Sequence, residues 1–202
     1  MSLRKAIVSQ FERPRGLLGR IVGWILSGRG SNLRRNRWSV DLLALESGQR
    51  VLEIGCGPGV ALELCLGRDG VRAVGVDHSG LMIKQAGKRN ARAVKAGRLR
   101  LVEGTIDTLP LEAPFDRVFS INVIQFVDRP AFVARAKALL KPGGVMATTY
   151  QPRHAKATRA DALKMAAELT QLLEGAGFTA VRVEELELKP VPAVCVLARR
   201  RL

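Results

Sequence analysis

Residues 51–59 read Val51-Leu52-Glu53-Ile54-Gly55-Cys56-Gly57-Pro58-Gly59. A short apolar run of strand type gives way to three alternate glycines. Val60-Ala61-Leu62-Glu63-Leu64-Cys65-Leu66 then resumes with helical character. The pattern predicts a strand, a GxGxG turn and a helix start. Glycine suits such a turn because it tolerates positive φ and lets another group approach the backbone. Free N–H groups at the helix start favour a negative group. In an open parallel sheet, ligands settle beyond the carboxyl ends of the strands, at the switch point, and this turn stands at such a place. A dinucleotide fingerprint needs GxGxxG. Its third glycine is replaced here by Val60. On the glycines alone, a purely structural turn also fits.

Working outward, residues 72–76 form a second apolar strand that ends in Asp77. An acid about 20 residues past such glycines can accept both ribose hydroxyls. The competing role is a helix N-cap, by Asp77 or Ser79. Residues 81–94 read as a basic helix, 99–102 as a third strand, and 117–121 as a fourth, introduced by Phe115-Asp116. Residues 130–140 read as a helix with proline in its first turn, a favoured place. Lys141-Pro142-Gly143-Gly144 reads as a helix stop and turn before a fifth strand, 145–150. An amphipathic helix over 160–174 precedes two strands, 179–188 and 193–198. Alternating strands and helices predict an α/β fold: a mostly parallel seven-strand sheet, helices on both faces, and an antiparallel edge made by the closing hairpin.

The chain of 202 residues suffices for one domain with a sizeable core, built mainly of aliphatic side chains because aromatics are only 4%. The formal net charge of +15 raises the odds of an anionic partner, nucleic acid or an acidic membrane. Residues 1–40 hold nine Arg or Lys against one acid, Glu12, and residues 81–100 hold seven with no acid. Solvated helix faces explain such runs equally well. Three scattered cysteines, Cys56, Cys65 and Cys195, exclude a disulfide framework and a zinc site, so no metal is expected and a cytoplasmic setting fits best. The apolar stretch 16–27, GLLGRIVGWILS, is short of a membrane span and is interrupted by Arg20. A signal peptide is not expected. Residues 1–45 read as a basic helical cap. Leu17, Leu18, Ile21, Val22, Ile25 and Leu26 recur at helical spacing beside Trp24, and a second helix covers 36–45. Such a segment suits a lid over a pocket, a membrane-surface helix, or both. Residues 46–202 form the main domain.

Five segments in order carry a resemblance: VLEIGCGPG, AVGVDHS, VEGTIDTLP, FDRVFSINVIQF and LLKPGGVMATTY. Together they resemble the class I, seven-strand S-adenosylmethionine-dependent methyltransferases of Rossmann-like, three-layer fold. The similarity is greatest to the small-molecule branch with the ubiquinone and menaquinone biosynthesis enzymes. It covers about residues 48–150 by motif and reaches the C-terminus by pattern. The resemblance implies S-adenosyl-L-methionine as cofactor. It implies Glu53, Gly55, Cys56 and Gly57 along the methionine part, and Gly59 at the tight turn into the helix. Asp77 would hold the ribose, with His78 beside it and Met82 near the adenine. Thr105 and Ile106 would flank the adenine edge, and Asn122 would lie close to the sulfonium. Two positions depart from the pattern. Thr105 stands where the family usually has an acid, with Asp107 two residues on, and Gln125 stands where related sequences often carry His.

A sulfonium methyl is activated by the cofactor, so the protein's task is to bind and orient. A base is needed only to take a proton from the acceptor. The candidates are His154 and Tyr150, while the resemblance implies Gln125 near the acceptor as a catalytic-site residue without a base's chemistry. Cys56 reads as a packing residue. The expected acceptor is a small, apolar or lipid-like molecule. Two alternatives stand beside it. A nucleic-acid acceptor accords with the charge, but the sequence lacks a Pro pair after the fourth strand and has few aromatics for stacking. A nicotinamide-dependent oxidoreductase would share the strand, turn and ribose acid.

Overall fold

The computed structural model describes residues 30–110 and 114–202. In chain order the elements are α1 (Gly30–Leu42), β1 (Arg50–Ile54), α2 (Val60–Leu66), β2 (Arg72–Asp77), α3 (Gly80–Arg89), α4 (Ala91–Lys95), β3 (Leu99–Glu103), β4 (Phe115–Ile121), α5 (Arg129–Leu139), β5 (Leu140–Tyr150), α6 (Arg159–Gly175), β6 (Phe178–Leu186) and β7 (Ala193–Arg200). One sheet contains all seven strands in the order β3-β2-β1-β4-β5-β7-β6. β1 through β5 pair in parallel. The closing hairpin completes the edge: β7 runs antiparallel against β5, and β6 pairs outside it. This is the α/β architecture read from the alternation of strands and helices. The strand order reverses at β1, because β2 lies on one side and β4 on the other. The glycine turn therefore leaves the sheet at its switch point, where a crevice opens between diverging crossovers.

Strands buried on both faces must be apolar nearly throughout, whether parallel like β1 or antiparallel like β7. β1 is buried from Val51 to Ile54 and β7 from Ala193 to Ala198. Against one face lie α5 and α6, through Phe132, Leu139, Leu169 and Leu173. Against the other lie α1, α2 and α4, through Val40, Leu43, Leu62, Cys65 and Ala93. α5 is entered through Asp128, whose carboxylate accepts from Ala131 N at 2.9 Å, and α6 through a Thr158–Asp161 capping box.

Several boundaries differ from those read in the sequence. The helix expected over 36–45 covers Gly30–Leu42 among the described residues and stops before Ala44, which takes a positive φ of 46°. The helix expected over 81–94 is two helices. The break falls at Asn90, whose Nδ2 donates to Ala86 O at 3.0 Å and to Gly59 O at 3.1 Å. A side-chain amide that bonds backbone in this way competes with helix continuation. The turn expected at Lys141–Gly144 is absorbed into β5, which begins at Leu140 opposite Phe115 with a register shift before Arg117. Asp116 clasps that irregularity, accepting from Lys141 Nζ and from Arg50 N, both at 2.8 Å. The helix expected around 17–26 lies outside the described residues. No helix among the described residues is long and apolar enough to cross a membrane.

Candidate active site

Gly55, Gly57 and Gly59 all have positive φ, 68°, 50° and 77°, and their surroundings differ. A Cβ on Gly55 would overlap Val123 Cγ2, so the loop after β4 packs directly on this backbone. A Cβ on Gly59 would meet Asn90 Nδ2 at 2.7 Å and Ala86 Cβ at 2.9 Å, so this glycine admits α3. A Cβ on Gly57 would meet nothing within 4 Å. The turn is tied to the end of β2, where Val76 O accepts from Gly55 N at 2.8 Å and from Cys56 N at 3.1 Å.

Asp77 follows on that strand and is 7% exposed. Its Oδ2 accepts from Gly57 N at 2.8 Å and its Oδ1 from Ser79 N at 2.9 Å. Each oxygen keeps a further lone pair for an incoming donor. Ser79 is the N-cap residue of α3 and makes no side-chain cap bond, so its own capping role is not realised. Glu53 lies beneath the turn, 3% exposed, with Oε2 lacking a partner among the described residues. Burial, and then the neighbouring Asp77 charge, push its carboxyl well above the usual range. The Leu62 backbone N–H opposes this shift.

A cavity of about 280 Å³ opens beside these groups. Ile54, Gly55, Val76, Asp77 and His78 line one side, and Gly104, Thr105, Ile106 and Asp107 line another. Val123, Val127, Asp128, Ala131 and Phe132 complete the wall. Five sequence-predicted residues thus meet in one cavity: Gly55, Asp77, His78, Thr105 and Ile106. Asp107 joins them, so an acid is present although Thr105 departs from the expected type. Glu53, Cys56, Gly57, Gly59, Met82 and Asn122 do not line it. Met82 is buried in α3. Asn122 has a φ of 57° and spends its Oδ1 accepting from Gln151 N at 2.8 Å, which fastens the end of β4 to the end of β5. The wall from Val123 to Phe132 escaped sequence reading. Its only signal was the apolar spacing of Val123, Val127 and Phe132, which reads equally as core.

The three candidate catalytic residues stand apart from this cavity. Gln125 is exposed and donates to Asn122 O at 3.0 Å. His154 is exposed, with Nε2 3.6 Å from Asp161 Oδ2. Tyr150 is half-buried against the core, and burial pushes its phenol up. The Cys56 thiol is buried and pushed well up by that burial and by Glu53, which accords with a packing role. Among the described residues no His, Cys, Asp and Glu group could hold a metal ion.

An adenosine fits this arrangement on three observations: a buried carboxylate with lone pairs for further donors, open space above Gly57, and a mostly apolar cavity beside the carboxylate. Residues 51–144 match the methyltransferase domain family. The chain is also 33% identical over 183 residues to the uncharacterized methyltransferase YdaC of Bacillus subtilis, covering 89% of this chain and 98% of that protein. It belongs to the class I methyltransferases that use S-adenosylmethionine. This methyltransferase is also 34% identical over 123 residues to the ubiquinone biosynthesis O-methyltransferase of Paracidovorax citrulli. That match covers 58% of this chain and spans only half of the relative's length. In fold it is similar to the N-methyltransferase NodS of Bradyrhizobium japonicum WM9, solved with S-adenosyl-L-homocysteine, at a TM-score of 0.71 and 17% identity over 88% of this chain and 91% of that one.

Proposed function

We propose that the enzyme methylates a small, apolar or lipid-like acceptor, with the cofactor's adenosine in the cavity between Asp77, His78, Thr105 and Ile106. The observation that carries this reading is the shared bond from Gly57 N to Asp77 Oδ2, which fixes the turn and the ribose acid as one unit. Asp77 would accept from the ribose hydroxyls. Ile106 and Val127 would enclose the base, with Asp107 at its polar edge. Glu53, Cys56 and Gly59 act beneath this surface by shaping the turn, and Met82 by seating α3. When bound, S-adenosylmethionine supplies an electrophilic sulfonium methyl. The chain's own residues hold the acceptor in line and exclude water, which supplies much of the rate.

The acceptor class is supported by the ubiquinone relatives. None of Gln125, Tyr150 and His154 lies on the cavity, so we assign no group on it to proton removal. An acceptor that ionises on its own, such as an activated phenol, fits that arrangement. Residues 1–29 complete the cap in this reading. The test is turnover of phenolic, enolic and amine acceptors by the full chain and by a chain lacking residues 1–29, with cofactor affinity measured in both. Loss of turnover with retained affinity supports a lid. Full activity of the truncated chain refutes it.

The described residues also carry a basic face on α3, α4 and the start of β3. Lys84, Lys88, Arg92, Lys95 and Arg100 are exposed there, with no acid and no aromatic residue between 80 and 100. The lack of a stacking group favours an anionic membrane over a nucleic acid as the surface it meets. Flotation with vesicles containing phosphatidylglycerol tests this contact. Salt-sensitive binding supports it, and equal binding to neutral vesicles refutes it.

A further inference from the structure

The loop after β3 brings Thr105, Ile106 and Asp107 to the cavity. It contains one tight turn, Ile106–Thr108, in which Ile106 O accepts from Leu109 N at 3.4 Å. The next bond of such a turn would run from the N–H of residue 110 to Asp107 O. Residue 110 is proline and has no N–H. The missing donor comes from α5. Arg135 Nε donates to Ile106 O at 3.3 Å, and its Nη2 donates to Asp107 O at 3.4 Å and to Leu109 O. One guanidinium thus spans three carbonyls of a single loop, a reach that its rigid fork of donors supplies. Ala131 and Phe132, one turn earlier on the same helix, also line the cavity. Arg135 itself does not line it. It ties the loop to the helix from behind, and so joins two parts of the cavity wall.

Asp107 is the residue most affected by this clasp. Its backbone carbonyl is held by Arg135, while the residue lines the cavity. A carboxylate only accepts hydrogen bonds. It favours a base edge that presents an amino group over one that presents a carbonyl oxygen. That preference is sharp only while the acid is held in place, because acceptor then faces acceptor and neither is satisfied. A carboxylate on a loosened turn swings away, or shifts to the ring N–H that a 6-oxo purine carries. We propose that Arg135 is a positioning residue that holds Asp107 for selection of a 6-amino over a 6-oxo purine in the cofactor. The inference rests on the proposed placement of the base beside Asp107. Arg135 touches neither cofactor nor acceptor and acts through the turn.

The experiment measures calorimetric affinities of the full-length protein for S-adenosylhomocysteine and S-inosylhomocysteine, in which a carbonyl oxygen replaces the amino group of the base. Wild type is compared with Arg135→Ala, Arg135→Lys, Asp107→Asn and the double variant of Arg135→Ala with Asp107→Asn. The readout is the ratio of the two affinities, which a general loss of stability or of nucleoside binding leaves unmoved. Wild type is expected to prefer S-adenosylhomocysteine about 10-fold or more, the scale of a hydrogen bond to a charged group. Arg135→Ala is expected to lower that preference to about 2–3-fold, the scale of a weakened contact. Arg135→Lys keeps the charge and recovers part of the preference. Asp107→Asn loses the preference by itself, because its amide can donate to a carbonyl oxygen. Adding Arg135→Ala to it then changes the ratio no further. Where Arg135→Ala does not fold, Arg135→Lys carries the test, and its ratio is expected to lie below that of wild type. A wild-type ratio in the folded Arg135 variants overturns the proposal, while a ratio lost in Asp107→Asn still upholds the base beside Asp107. A ratio in the double variant below that of Asp107→Asn also overturns it, because Arg135 then acts by another route. A wild type that does not distinguish the two nucleosides contradicts the placement of the base, and the proposal with it.

Discussion

Gly57 N donates to Asp77 Oδ2 at 2.8 Å, across 20 residues of chain and from the end of one strand to the end of its neighbour. One carboxylate thereby holds the glycine turn while keeping lone pairs free for a diol. Replacing Asp77 with Ala removes both duties. Cofactor affinity is expected to fall by about 1–3 kcal/mol, the scale of losing hydrogen bonds to a charged group. Calorimetry with S-adenosylhomocysteine checks this, and an unchanged affinity places the ribose elsewhere.

The glycines separate packing from binding. Gly55→Ala forces a methyl into Val123 at a φ of 68°, and a loss of about 1–3 kcal/mol in stability is expected. Gly57→Ala meets no atom within 4 Å. It is expected to cost about 1–2 kcal/mol of backbone strain while filling space that the cofactor needs. Chemical denaturation and cofactor titration of both variants decide the point. Gly57→Ala that binds as well as wild type shows that the space is not used.

Glu53 gives the stability a defined pH dependence. Its carboxyl is held well above its ordinary value, so the folded state binds the proton more tightly than the unfolded state does. Its contribution is full below the unfolded value and is lost as pH rises through the folded value. Glu53→Gln is therefore expected to melt higher than wild type, by a margin that widens from pH 5 upward. Thermal melts across pH 5–9 test the sign. A margin that narrows as pH rises contradicts it.

The thiols are predicted to be inert in the native protein. Cys56, Cys65 and Cys195 are all buried, and burial pushes Cys195 up to about 12. Alkylation by iodoacetamide at pH 8, read by mass spectrometry, is expected only after unfolding. Rapid native labelling of Cys56 would show that the turn opens.

The inner strands and the switch-point turn were legible because strands buried on both faces leave continuous apolar runs, as in β1 and β7. Asp77 was legible because a lone acid at a strand end stands out against that background. The break at Asn90 was hidden, since it depends on an amide reaching back to Gly59, 31 residues away. The extension of β5 through Pro142 and Gly143 was hidden for a similar reason: its pairing rests on Phe115 and Asp116. Arg35 read as one more member of a basic run, because nothing local distinguishes a buried arginine from a solvated one. The wall from Val123 to Phe132 looked like core because apolar spacing is the same whether a side chain faces a helix or a cavity.

The most direct test of the cofactor site is to titrate the full-length protein with S-adenosylhomocysteine and with NADH, reading heat and melting temperature together. A ligand that binds only the folded state raises the melting temperature in proportion to its saturation. The account predicts stabilisation by S-adenosylhomocysteine, abolished or strongly reduced in Asp77→Ala, and none by NADH. Stabilisation by NADH alone, or by S-adenosylhomocysteine equally in wild type and Asp77→Ala, would contradict it.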